Sequence, residues 1–185
     1  MSVKPDIKQH DALESAAPVD SAGLTGVAEF ERLLRLHDQP VRGMAFRLVG
    51  QDVNDVLQIA YLKAFEQRSS FRGDSSPRTW LYTIVYRTAL DHLRSDRRRV
   101  ANQHRAATST AITDGADTVA DRMAVDAALA GLLVDQRVIL LLIDGQDMSY
   151  DDAARVLGVA NGTIASRIHR ARAALRAALE RNESQ

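Results

Sequence analysis

The residues best suited to chemistry in this chain lie on two arginine-bearing stretches, and that chemistry is recognition rather than bond cleavage. Between Asn161 and Leu179, at 100° per residue, Gly162, Ser166, His169, Arg170 and Ala173 share one helix face. Thr163 stands beside them, and Arg167 and Arg172 flank the opposite, apolar stripe. Short hydrogen-bonding groups with Arg on an open helix face fit a DNA major groove, and the flanking guanidiniums can reach phosphates. The bland alternative is an amphipathic helix with a solvated basic face. The second stretch runs from Pro77 to Arg99, where Trp80, Thr83, Arg87, Asp91, Arg94 and Arg98 form a mostly polar stripe and Arg97-Arg98-Arg99 ends the helix. It reads either as a capped, solvated helix or as one that tracks a phosphate backbone. Thiolate chemistry is excluded because there is no Cys. The five His are scattered with no ligand pair at helical spacing, so no metal, cofactor or catalytic residue is assigned.

The groove-reading face needs a platform, and the residues upstream supply one. Ser149 can cap a helix, and Asp151 and Asp152 suit its positive end. Tyr150, Ala153, Ala154 and Leu157 give that helix an apolar side, and Gly158 follows as a left-handed terminator. Val159 packs the turn and Asn161 can cap the second helix, whose Ile164, Ile168, Ala171 and Leu175 face a core. This is helix–turn–helix grammar.

Lys+Arg and Asp+Glu balance at 24 each in 185 residues, which looks wrong for a nucleic-acid binder. Distribution matters more than the sum. Basic residues gather at Arg94–Arg99 and Arg167–Arg176, and acidic ones before residue 30, between Asp114 and Asp126, and from Asp144 to Asp152. Acidic segments of this kind would discourage DNA binding until a partner redirects them. There is no basic leader followed by an apolar run and no stretch long enough to span a bilayer, so a cytoplasmic chain without membrane insertion is the expectation.

In chain order, residues 1–27 read as a disordered tail. Residues 28–49 are helical, with Phe30, Leu33, Leu34, Leu36, Val41, Met44, Phe46 and Leu48 apolar and Pro40 marking a break or a new start. Gly50 stops this pattern, and Asp52 or Asn54 can cap the next helix. That helix, Asp55–Gln67, has Leu57, Ala60, Tyr61 and Ala64 on one face. Val56, Ile59 and Leu62 lie towards the other, beside Asp55 and Gln58. A helix apolar on two sides is either deeply buried or docks on a second protein. A Gly73-Asp74 loop leads to Ser76 as cap and Pro77 as first helical residue. Leu81, Ile84, Val85, Ala89 and Leu93 then form the apolar flank. Residues 101–122 read as a linker. Helices resume near Met123, with Val125, Ala128, Leu129 and Leu132 apolar, and Val138–Ile143 form a buried core helix. The expected fold is all-α: two small helical domains, 28–100 and 123–181, joined by a flexible linker, with a tail at 182–185.

Three segments in this order, DVLQIAYLKAF, FRGDSSPRTWLYTIVYRTALDHLRSDRRR and SYDDAARVLGVANGTIASRIHRARAAL, resemble the bacterial RNA polymerase sigma factors of the sigma-70 family. The likeness is to the small two-domain extracytoplasmic-function group and covers residues 28–181. It implies a region 2 module and a region 4 helix–turn–helix, no catalytic step, and core RNA polymerase and promoter DNA as partners. Asp55, Gln58, Ile59 and Leu62 would then face the clamp helices of the largest polymerase subunit. The loop at Phe71–Thr79 would capture an extruded base of the −10 element, with Ser75, Ser76, Arg78 and Thr79 as donors; extrusion costs a few kcal/mol per base. Thr83, Arg87, Arg94, Arg97 and Arg98 would continue the −10 contact. Ser166, His169 and Arg170 would read the −35 element, with Thr163 beside them and Arg167 and Arg172 on the backbone. An anti-sigma factor is a further partner the resemblance implies.

The sequence departs from the family pattern at three places. Ile59 stands where Glu is common, Ala165 where a basic residue is frequent, and Val134 where Pro often opens the helix. Trp80 reads as packing or as a stacking wedge. Two other functions compete: a sigma mimic that sequesters an anti-sigma factor, and a stand-alone helix–turn–helix regulator. The first could lose its basic readers, yet Arg97, Arg98, Arg167 and Arg170 are present. The second leaves the first domain's loop and Arg-tipped helix without a role.

Overall fold

The structure is a computed structural model that describes Leu24 and residues 26–103 and 118–183. Helices α1 (Val27–Val49), α2 (Val53–Gln67) and α3 (Pro77–Gln103) form a first bundle. Helices α4 (Thr118–Ala130), α5 (Val134–Ile143), α6 (Tyr150–Leu157) and α7 (Asn161–Glu183) form a second, and the described residues contain no strand.

Helix α1 buries Phe30, Leu33, Val41, Met44, Ala45 and Leu48. Of the apolar residues at helical spacing, Leu36 and Phe46 are exposed, because 100° per residue turns both well away from the Phe30–Val41–Leu48 line. The break expected at Pro40 does not occur: α1 runs through it. The missing N–H would have served Leu36, whose position faces solvent, so water can satisfy that carbonyl while the apolar stripe resumes at Val41. Gly50 ends the helix at φ 64. Asp52 stands at the N-cap position of α2 but its side chain makes no capping bond, and Asn54 lies within the helix. The Asp52 carboxylate goes to His92 at 3.0 Å, Asn54 accepts from Arg42 at 2.8 Å, and the helix is entered through a 3-10 turn, Gly50–Asp52. Within the expected tail, Leu24 is buried in the core. The rest of that segment up to residue 23 and most of the expected linker lie outside the described residues. In the second bundle Val138–Ile143 are all buried, as their unbroken apolar run predicts, whereas Val125 is 38% exposed.

The two bundles do not stand apart; they share one hydrophobic cluster. Helix α3 is buried on two sides, which a single apolar flank did not foretell. Leu81, Val85 and Ala89 are joined by Thr79, Tyr82, Tyr86 and Thr88, because α6 and its preceding loop pack across the start of α3. Polar fasteners cross the seam. Arg47 Nε pairs with Asp126 at 2.8 Å, and Arg137 donates to the Arg47 carbonyl at 3.0 Å. The same guanidinium donates to the carbonyls of Ala130 at 2.6 Å and Leu132 at 3.1 Å, tying α5 to the ends of α1 and α4. A cation is well placed where helix carbonyls run out. Burial lowers the pKa of Arg137 from its ordinary value.

Candidate nucleic-acid interface

The helix–turn–helix is built as its residues require. Ser149 Oγ accepts from Asp152 N at 3.1 Å, and the hydroxyl donates to the Asp152 carboxylate at 2.7 Å. Gly158 closes α6 at φ 66, ψ 36, with its N–H on the carbonyls of Ala154 and Arg155. The left-handed conformation is nearly free for Gly and costs other residues about 1–2 kcal/mol. Tyr150, expected on the apolar side, is exposed, and Val156 is buried with Ala153 and Ala154. Asn161 is the first helical residue of α7 rather than its cap, and its amide donates to Asp151.

Along α7, Ile164, Ile168 and Ala171 are buried and Leu175 is half-buried. The opposite side is open: Gly162, Ser166, His169 and Arg170 are exposed, with Thr163 half-buried at the edge. Ser166 Oγ donates to the Thr163 carbonyl at 3.0 Å, and Arg170 Nε to the Ser166 carbonyl at 3.2 Å, so both lie along the helix surface. Arg172 is not a free phosphate contact in this arrangement. It forms a two-pronged pair with Asp144, at 3.1 and 2.5 Å, and that contact raises its pKa further. Arg167 is half-buried and turns towards α3.

The first bundle's candidate residues divide into open and covered sets. Ser76 Oγ caps α3 by accepting from Thr79 N at 3.0 Å. Ser75 lines a hollow of about 170 Å³ with Ser70, Phe71, Arg72, Asp74 and Trp80. Trp80 is partly buried against the core, and its ring stands 5.5 Å from that of Phe71, so it packs and forms a wall of the hollow at once. Thr79, by contrast, is only 2% exposed and donates to Asp152 of the second bundle at 3.1 Å. Arg78 donates to the Gln146 carbonyl and lies over the Tyr82 ring. Thr83 donates to the Thr79 carbonyl at 2.8 Å. Arg87, Arg94, Arg97 and Arg98 are exposed. The closed arrangement therefore covers Arg78 and Thr79 while leaving the α7 face open.

On α2 the four candidate docking residues share one exposed face. Ile59 is 50% and Leu62 58% exposed, with Asp55 and Gln58 beside them and Phe65 further along. Val56, grouped with them in the sequence reading, is fully buried. His92 Nε2 lies 3.0 Å from both Asp52 and Asp96, and Arg99 pairs with Asp96 at 3.1 Å. This cluster fastens the start of α2 to α3. The seam roles of Gln146, Arg137 and Asp126 are not legible in the sequence. Nothing local marks them, because their partners lie 64 to 90 residues away.

Known proteins place these elements in a common frame. The sigma-70 region 2 family model matches residues 33–99, and the sigma-70 region 4 model matches residues 122–175. The ECF RNA polymerase sigma factor SigM of Mycobacterium tuberculosis is 39% identical over 152 residues, covering 79% of this chain and 74% of that one. The RNA polymerase sigma-H factor of Pseudomonas aeruginosa is 32% identical over 166 residues, covering 82% and 86%. Among solved structures, the sigma factor RpoE in complex with the anti-sigma factor NepR from Bartonella quintana superposes with a TM-score of 0.76 at 32% identity, over 83% of this chain and 98% of that one. CnrH in complex with the cytosolic domain of CnrY gives 0.60 at 25% identity, over 84% and 90%.

Proposed function

The chain belongs to the ECF group of RNA polymerase sigma factors, and from that premise we propose how its residues divide the work of starting transcription. The first bundle, about residues 28–100, binds core RNA polymerase through Asp55, Gln58, Ile59 and Leu62. Its hollow beside Ser75 and Trp80 takes an unstacked −10 base, with Ser76, Arg78, Thr79 and Thr83 lining the approach. Arg87, Arg94, Arg97 and Arg98 hold phosphates, which makes binding fall with salt. The second bundle, about residues 123–181, reads the −35 element with Ser166, His169 and Arg170, with Thr163 at the edge and Arg167 on phosphates, joined by Arg172 once DNA phosphates displace its pair with Asp144. The residues between the end of α3 at Gln103 and the start of α4 at Thr118 connect the two. No bond is made or broken by this chain; phosphodiester chemistry belongs to the polymerase. Its work is in the cytoplasm, where the polymerase is.

The observation that carries this reading is the α2 face. Ile59 and Leu62 are apolar, side by side and more than half or half exposed, on a helix whose other side is fully packed. An apolar strip of that kind flanked by Asp55 and Gln58 suits a protein partner rather than DNA. Covering of Arg78 and Thr79 by the second bundle gives the free chain a state unfit for −10 recognition, which polymerase binding would open by drawing the bundles apart. Two of the similar structures are complexes with an anti-sigma factor or a partner protein's cytosolic domain, and an anti-sigma factor that holds the closed state is a natural further partner here.

The test is reconstitution. Purified chain added to sigma-free core polymerase should bind it and produce transcripts from a subset of promoters. DNA binding without core binding would support a stand-alone regulator, and neither, with capture of an anti-sigma factor, would support a mimic.

A further inference from the structure

The seam between the bundles encloses a cleft of about 620 Å³, walled by α3 on one side and by α5, α6 and α7 on the other. Four arginines line it: Arg87, Arg94 and Arg97 from α3 and Arg167 from α7. Two carboxylates, Asp91 and Asp135, share the lining, so guanidiniums outnumber them. Among the described residues Arg87, Arg97 and Arg167 make no hydrogen bond or ion pair, and Arg94 has only a 3.5 Å contact with Asp91. Bringing these charges together is unfavourable unless something negative lies between them. Burial, and then the charge of Asp135, raise the Tyr86 phenol pKa at the cleft wall, and Arg94 and Arg167, from different bundles, oppose that rise.

We propose that this cleft binds a linear polyphosphate, the chemistry shared by nucleoside polyphosphates and inorganic polyphosphate, and that the bound chain fastens the two bundles in the closed arrangement. Three features select that class. Arg87, Arg94 and Arg97 follow one another along α3 over roughly 15 Å of helix, which suits an extended anion better than a single phosphate. Guanidiniums bind phosphate oxygens in pairs of parallel hydrogen bonds. The volume falls within the roughly 300–1,000 Å³ usual for small-molecule sites, and a packed helix about 10 Å across would need an open groove instead. Leu90 and Leu157 supply an apolar wall that a base could lie against. The consequence rests on the proposed DNA contacts: a ligand held by Arg87, Arg94, Arg97 and Arg167 occupies the charges that promoter phosphates would use, so it keeps the free chain off DNA.

Calorimetric titration of the full free chain tests this, with GTP, tripolyphosphate and GMP as probes at fixed ionic strength in the presence of EDTA. GTP and tripolyphosphate should bind saturably at one site and GMP at least about tenfold more weakly. Tighter GTP binding assigns the site to nucleoside polyphosphates, and equal binding assigns it to the inorganic chain. The double variant Arg87→Gln/Arg167→Gln should lose about tenfold or more, Asp135→Asn should tighten binding, and Arg176→Gln, exposed on α7 outside the cleft, should change nothing. Circular dichroism melts confirm that each variant is folded. Absence of saturable binding up to millimolar probe, or an equal loss in Arg176→Gln, overturns the proposal. Transcription is not the readout, so failure of the sigma-factor reading would leave this result standing on its own.

Discussion

Tyr82 on α3 donates its phenol to Oε1 of Gln146, in the loop before α6, at 2.6 Å. The two residues belong to different bundles, and the Gln146 carbonyl receives Arg78 as well. Burial pushes the Tyr82 phenol up to about 12, against the pull of Arg78. One loop residue thus engages both ends of the first turns of the proposed −10 helix.

Gln146→Ala should loosen that seam. A neutral hydrogen bond contributes about 1 kcal/mol net, and leaving a buried phenol without a partner adds to the cost. Apparent affinity scales with the open fraction when the closed state is unfit to bind. The free variant should therefore bind single-stranded DNA bearing its −10 sequence about fivefold more tightly than the parent, measured by fluorescence anisotropy. Unchanged affinity would mean that the seam does not govern access.

Leu62→Asp places a charge in the middle of the exposed α2 face. Core polymerase affinity should fall by roughly 2 kcal/mol or more, the scale of an interface hot spot. Stability should change by less than about 0.5 kcal/mol, because an exposed site away from packing is tolerant. A binding loss accompanied by an equal loss of stability would show that the residue supports the bundle instead of the partner.

Arg170→Ala should cost about 1–3 kcal/mol of discrimination at one −35 position, the usual worth of a good bidentate base contact. Competition binding with single-base −35 variants measures it. A uniform loss across all variants would reassign Arg170 to phosphate.

The His37 imidazole is held below its ordinary 6.5 by burial, with the charge of Arg78 adding to the effect. The unfolded chain then binds more protons than the folded one as pH drops below about 6.5, so this contribution is present above that pH and lost on acidification. Urea unfolding at pH 7.5 and pH 5.5 should show a smaller drop in stability for His37→Gln than for the parent. Equal drops would locate the acid sensitivity elsewhere.

The sequence was most informative where structure is local. Ser149, Gly158 and the Ile164–Ile168–Ala171 stripe announce the helix–turn–helix through capping, backbone freedom and periodicity, and each stands where those rules put it. Ser76 and Pro77 do the same for α3. It was least informative where a distant element decides the outcome. Pro40 looks like a break until the packing of Val41 and Met44 holds the helix together across it. Asp52 looks like a cap until His92 takes its carboxylate. Thr79 and Arg78 look like open donors until Asp152 and Gln146, from the other bundle, claim them. Helical periodicity marks a face as buried or exposed but does not say against which helix, and α3 has two buried sides for that reason.

The most direct test is the distance between the bundles. The chain has no Cys, so Gln67→Cys and Arg176→Cys can carry a donor and an acceptor dye at exposed sites on α2 and α7. Energy transfer should be high in the free chain and fall sharply when core polymerase and promoter DNA are added together, as the bundles separate by tens of ångströms to reach two promoter elements. Transfer that stays high in an assembled, transcribing complex would contradict the account.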